Sequence, residues 1–319
     1  MREFLSACAG SDCPPVETLR GRLPRQAVTF LSLVLLWSVC AAAVAPPLAV
    51  EALTHGIPAR PPHALTGSQF AHSVATLAAP LREQAIQREI LTGNLPDFLR
   101  RLTPVELSFR TTAGRALSAT IFVMPDYLAI GSDTDFLRIP MNLDTATAVA
   151  AGMGFVLPTR KMVDAIYRQA AFHFAPEPLP AGPHMTSTDY YQTHNGLIDQ
   201  QARNRGIPVG ALVSGDKKDV VISSRLLAMP GRIAIYGWHR LDGAPIQPLS
   251  TVHGACYADY SHGIRLVSEM AIQDGAARSV PDILQDAVAA YALSDEGVIH
   301  LVRAAGTPER GESRCALGN

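Results

Sequence analysis

Residues 105–139 read VELSFRTTAGRALSATIFVMPDYLAIGSDTDFLRI. Within this stretch, segments 105–110, 116–124, 127–130 and 136–139 alternate or cluster β-forming residues, and Ala113-Gly114, Pro125-Asp126 and Ser132-Asp133 punctuate them as turns. The pattern predicts an antiparallel meander. Helical signals lie on both sides. Upstream, Leu81, Ile86, Ile90 and Leu91 predict a helix that Gly93-Asn94 ends, and Pro96 opens a short second helix over 97–102. Downstream, a helix over 143–151 is ended by Gly152. Another over 161–171 is capped by Thr159 and carries Val163, Ile166, Tyr167 and Ala170 on one buried stripe.

A proline-rich segment, 175–183, separates this half from the next and marks the expected lobe boundary. Beyond it a helix over 189–203 precedes strands at 220–223, 232–238, 244–249 and 264–272, with Asp242-Gly243 as a hairpin signal. A last helix over 282–293 starts from Ser279 and Pro281. The fold class read from these elements is α+β, with antiparallel β-rich sheets flanked by helices in two closely joined lobes, 67–183 and 184–303.

An apolar run from Ala27 to Ala45 follows Arg20, Arg22 and Arg25 and contains the small residues Ala41-Ala42-Ala43. That order matches a secretory signal with cleavage after Ala43, or an uncleaved N-terminal anchor. Both readings of 1–45 export the remainder. Residues 46–66 read as a flexible linker, and 304–319 as a mobile tail. Nearly half of the residues, 48%, are hydrophobic, and the formal net charge is −1, as suits a globular body. No basic cluster with interleaved aromatics points to a nucleic-acid partner. Three of the five cysteines precede residue 46, leaving Cys256 and Cys315, a pair that an oxidising compartment allows to bridge.

Chemistry-bearing side chains concentrate between residues 215 and 265. The segment GDKKD, 215–219, is followed by YGWH, 236–239, and by HGACYADYSHGIR, 253–265. His239 falls at the exit of a predicted strand, and His253 and His262 fall in the connection that follows it, where a rigid sheet positions functional groups. Three readings are open. The histidines fit a hydrogen-bonded structural corner. They also fit a divalent metal site, zinc foremost, with His239, His253, His262 and Asp216 as ligands. The third is nucleophilic catalysis by Cys256 with His253 or His262 as base, which a disulfide to Cys315 would cancel. His194, on a predicted helix, reads as part of a polar surface face. Lys217-Lys218 reads as a solvated turn.

His253-Gly254 followed by Ser261-His262-Gly263-Ile264-Arg265 resembles the active-site signature of L,D-transpeptidases, exported enzymes that cross-link peptidoglycan. That pattern is His-Gly, a spacer, then Ser-His-Gly-Cys-hydrophobic-Arg. The resemblance implies that His262 is the base and Arg265 a structural or substrate-orienting arginine. This chain passes directly from Gly263 to Ile264, so the nucleophilic cysteine of the pattern is missing and the spacer is short. Segments 128–133 and 157–162 resemble exported bacterial proteins to which no activity is attached.

Together these readings predict an exported hydrolase or transferase acting on peptidoglycan or another cell-envelope polymer. The expected catalytic residues are Cys256, His262, Asp259 as base or orienter, and Arg265 holding a substrate carboxylate. The membrane enters only through the N-terminal segment. A non-catalytic envelope-binding or scaffolding protein is the alternative.

Overall fold

The first hairpin of the 105–139 stretch enters the larger sheet through its second strand, on which three other strands pair. The computed structural model describes residues 56–300 and Cys315. The expected signal or anchor at 1–45, the first part of the linker and nearly all of the tail lie outside the described residues. Among the described residues no helix is long and apolar enough to cross a membrane.

In chain order, α1 (Gly67–Val74) and α2 (Ala79–Leu91) precede β1 (Thr103–Arg110) and β2 (Ala116–Val123). Then come β3 (Ala129–Ser132), β4 (Asp135–Arg138), α3 (Leu143–Met153), β5 (Phe155–Val156), α4 (Arg160–Gln169) and β6 (Phe172–His173). The long helix α5 (Thr188–Asn204) leads to β7 (Val213–Ser214), β8 (Lys218–Val221), α6 (Arg225–Ala228), β9 (Ala234–His239) and β10 (Pro245–Ser250). The chain continues through β11 (His262–Gly263), β12 (Val267–Ser268), β13 (Met270–Gln273), β14 (Ala276–Ser279), α7 (Val280–Gln285) and α8 (Ala290–Leu293). The α+β class read from the sequence is the observed one.

In β1 the alternation buries Val105 and Leu107 and exposes Glu106 and Ser108. Val105, Ile121 and Val123 are fully enclosed, and each such side chain contributes about 1.5–3 kcal/mol. The sheet order is β14-β13-β2-β12-β5, with β1 also on β2. Helix α4 closes one face. Thr159 accepts the amide of Met162 at 3.1 Å, as its capping position demands, and Met162, Ala165 and Ile166 enter the same core as Val105 and Ile121.

Four expectations are corrected. The two-lobe division fails because the six-stranded sheet takes β1, β2 and β5 from before residue 175 and β12, β13 and β14 from after it. The meander is interrupted, since β3 and β4 pair only with each other. Pro125 has no N–H to continue a ladder, and the segment it occupies is held by the chain beyond β11 instead: Met124 N–H donates to Leu266 O at 3.0 Å and Leu128 N–H to Ile264 O at 2.8 Å. For the same reason the single strand expected at 264–272 is broken into pieces that change partner. The last part of the expected linker, 56–66, is anchored: the Arg60 guanidinium donates to Asn94, Gly131 O, Ala64 O and Leu65 O.

The second sheet positions the site. Its order is β10-β9-β8-β11, antiparallel except that β11 runs parallel to β8, with His262 opposite Lys218 and Gly263 opposite Asp219. Only glycine fits at 263, because a Cβ there would lie 2.6 Å from both the Lys217 Cβ and the Tyr127 ring.

Candidate functional site

The connection 253–262 is fixed by its backbone before its side chains act. His253 O accepts Ile233 N–H, Ala255 N–H donates to Gly231 O, and Ala255 O accepts Leu143 N–H at the start of α3. Ser261 O then accepts Lys218 N–H at 2.7 Å, which starts β11 beside β8. Residues 253–262 are thereby wedged between the second sheet and α3.

His262 is fully buried, and neither ring nitrogen has a hydrogen-bond partner among the described residues. The His253 and Tyr257 rings stack on each other at 4.4 Å, and both meet the His262 ring edge-on, at 6.1 and 5.7 Å. Asp259, also buried, is held by three donors. Its Oδ1 accepts the Ser261 amide at 2.8 Å and the Ser261 hydroxyl, and its Oδ2 accepts the Tyr257 hydroxyl at 3.1 Å. Burial brings the His262 imidazole down to about 4, with Lys218, His253 and Lys217 acting in the same direction and Asp259 against them. Burial also pushes the Asp259 carboxyl up, but His262, the Ser261 hydroxyl and Lys218 outweigh it and hold the group below the usual carboxylate range. At neutral pH the arrangement is therefore a neutral imidazole beside a carboxylate, the protonation state that a general base requires.

A second polar layer lies behind this one. The Lys217 ammonium donates to Tyr260 O at 2.6 Å and to His194 Nδ1 at 3.1 Å, which places the neutral imidazole's proton on Nε2. Burial lowers Lys217 to about 8 and drives His194 far down, Lys217 adding to the latter effect. Asp216 is enclosed, with neither carboxylate oxygen hydrogen-bonded among the described residues, and burial, then Asp126, raises it to about 6 against the charges of Arg138, Lys217 and Arg265. Lys218 sits over the Trp238 ring at 5.0 Å. Trp238 has a φ of 54°, a conformation that is strained for a bulky residue and occurs here at the junction of both layers.

Several predicted site residues stand elsewhere. Cys256 is bonded to Cys315, so it carries no thiol and the nucleophile reading is withdrawn. Arg265 is fully buried, donates to Met124 O and Val213 O, and lies over the Tyr127 ring at 4.2 Å; it braces the fold and reaches no substrate carboxylate. His239 turns toward α4, with Nε2 3.1 Å from Asp164 Oδ1 and its ring stacked on Tyr167 at 4.5 Å. Asp216 lies within the charge field of Asp126, Arg138, Lys217 and Arg265. The expected metal set of His239, His253, His262 and Asp216 is therefore not assembled, and among the described residues no three His, Cys, Asp or Glu side chains are grouped to hold an ion. His253, Asp259 and His262 do come together.

Sequence reasoning placed His194 and Lys217 on the surface, whereas both are buried. For His194 a signal was present: Tyr191, His194, Asn195 and Ile198 follow the i, i+3, i+4, i+7 spacing of a buried helix face, and all four are buried. Nothing local marked Lys217 as interior. No family model matches the chain, and no curated protein or solved structure matches it either.

Proposed function

We propose that the chain is an exported hydrolase or transferase of a cell-envelope polymer, working by general acid–base catalysis at His262. The observation that carries this reading is the buried imidazole with both nitrogens unengaged among the described residues, beside a carboxylate that Ser261 and Tyr257 hold in place. A ring nitrogen of His262 takes the proton of the attacking water or hydroxyl. Asp259 stabilises the imidazolium that forms, and the imidazolium then returns its proton to the leaving group. Such proton transfer contributes roughly 10²–10⁴-fold to a rate. The stacked His253–Tyr257 pair touches the ring and is itself half-buried, so substrate reaches His262 by displacing that pair. An envelope setting is supported by the apolar N-terminal run and by the Cys256–Cys315 bridge, which suits an oxidising compartment.

The test is incubation of the purified full chain with isolated peptidoglycan sacculi, followed by assay for new amino groups and new reducing ends in the soluble fraction. Release by the parent protein and its loss in His262→Asn are expected. Absence of release by the parent, or equal release by the variant, overturns the reading. The non-catalytic alternative is favoured by one observation, a groove whose lining includes neither His253, Tyr257 nor His262.

A further inference from the structure

His262 shares its face of the second sheet with a cation. It lies directly opposite Lys218 across the parallel β11–β8 ladder, and residues paired in this way point their side chains to the same side, on strands about 4.8 Å apart. The other face is identified by its own contacts: Asp219 binds Tyr127, and a Cβ at Gly263 would strike Lys217 and that same ring. Lys217 and Asp219 therefore turn away from His262, and Lys218 turns toward it.

The Lys218 side chain is half-buried, and Trp238 holds it in place. Its Nζ stands 5.0 Å from the centre of the indole, an attraction of charge for the ring face that uses none of the ammonium's three N–H donors. Among the described residues those donors meet no acceptor and no carboxylate pairs with the charge. The fully buried His262 likewise has both ring nitrogens unengaged among the described residues. A positioned cation with free donors thus adjoins a neutral base with free nitrogens.

That combination selects the reaction. Glycoside hydrolysis uses a pair of carboxyl groups that flank the bond. The carboxylate beside His262, Asp259, has its oxygens taken up by Ser261 and Tyr257. Acyl transfer needs instead a base for the nucleophile and a fixed donor or positive group where the carbonyl oxygen becomes negative.

We infer that Lys218 is a second catalytic residue, setting its ammonium against the oxyanion formed when an amide or ester carbonyl of the polymer is attacked, so that the site breaks acyl bonds and not glycosidic ones. The inference rests on the reading of His262 as general base. The oxygen of water bonds to the acyl carbon, its proton passes to a ring nitrogen of His262, and the carbonyl π pair moves onto oxygen beside Lys218. As that pair returns, the bond to the leaving nitrogen or oxygen breaks, and the imidazolium gives its proton to the departing atom.

The test is digestion of peptidoglycan sacculi by the full chain in heavy-oxygen water, with mass spectrometry locating the label in the soluble fragments. Label in a new carboxyl group is expected. Lys218→Met should slow release by roughly 10²–10³-fold, as for removal of one oxyanion donor, and Lys218→Arg, which keeps the charge, should recover part of the rate. The residual rate of Lys218→Met should also lose its acid limb at higher pH than the parent, because Lys218 opposes protonation of His262 along with His253 and Lys217, against Asp259. A merely structural lysine would leave that limb in place. Lys218→Gln repeats the comparison if Lys218→Met melts early. No release by the parent overturns the reading of His262 and this inference with it. Label at a new reducing end, or Lys218→Met and Lys218→Gln releasing at the parental rate, overturns this inference alone.

Discussion

The Tyr127 hydroxyl donates to Asp219 Oδ2 at 2.9 Å, joining the segment after β2 to strand β8 inside the protein, with both side chains buried. Burial raises the Asp219 carboxyl from 3.8 to about 7, against the charge of Arg265 and the tyrosine's hydrogen bond. The folded state thus favours the protonated acid more than the unfolded chain does. The stability this contributes is fully present below the ordinary value and is lost as pH rises through about 7. Asp219→Asn keeps an oxygen for Tyr127 and removes the titration. Melting temperatures measured from about pH 4 to about pH 8 should show the variant gaining on the parent across that window. A constant difference would contradict the assignment.

His262 works in the opposite direction. Its folded value, about 4, lies below the ordinary 6.5, so its contribution to stability is present above the ordinary value and lost as pH falls through about 4. In the proposed mechanism kcat/KM falls through the same range as the base becomes protonated. His262→Asn should lower kcat by roughly 10²–10⁴ and remove that acid limb from both the stability and the rate profiles. A variant of normal rate with only a lower melting temperature would assign the residue to the scaffold.

Cys256→Ser should leave turnover intact. Its effect is on stability, because the bridge closes a long loop between positions 59 residues apart, and losing such a closure costs roughly 2–4 kcal/mol. Peptide-mapped labelling with a thiol reagent checks the bond directly: Cys256 and Cys315 should react only after reduction. Labelling of Cys256 in the unreduced chain would return it to the list of nucleophiles.

Arg265→Ala should destabilise the protein by about 3–5 kcal/mol, as expected when one member of a buried charge cluster is removed and its partners remain. Arg265→Lys should rescue little, since an ammonium cannot reach both Met124 O and Val213 O while stacking on Tyr127. Denaturant titration measures this. Loss of activity at unchanged stability would instead restore the substrate-orienting role implied by the transpeptidase resemblance.

Gly196→Ala should raise stability by about 0.5–1 kcal/mol, because the added methyl meets open space and α5 loses its most flexible interior residue. A destabilised variant, read by denaturant titration, would contradict that open space.

What the sequence determined by itself was local. Thr159 before an amphipathic run places the start of α4, the alternation of 105–110 sets which face of β1 is buried, and Asp242-Gly243 turns β9 into β10, because each signal acts over a few residues of contiguous chain. The convergence of His253, Asp259 and His262 was legible for the same reason: the outer pair is only nine positions apart, and the bonds within 253–262 are short-range. The tertiary structure alone decided which polar residues are interior. Lys217 reads as a turn residue until Tyr260 and His194, from two distant segments, supply its partners, and Arg265 reads as substrate-binding until Met124, Val213 and Tyr127 enclose it. Likewise, no local signal announces that strands from both sides of residues 175–183 share one sheet. A buried charge is tolerated only where distant donors and acceptors meet it, and those meetings are made by topology, on which spacing along the chain is silent.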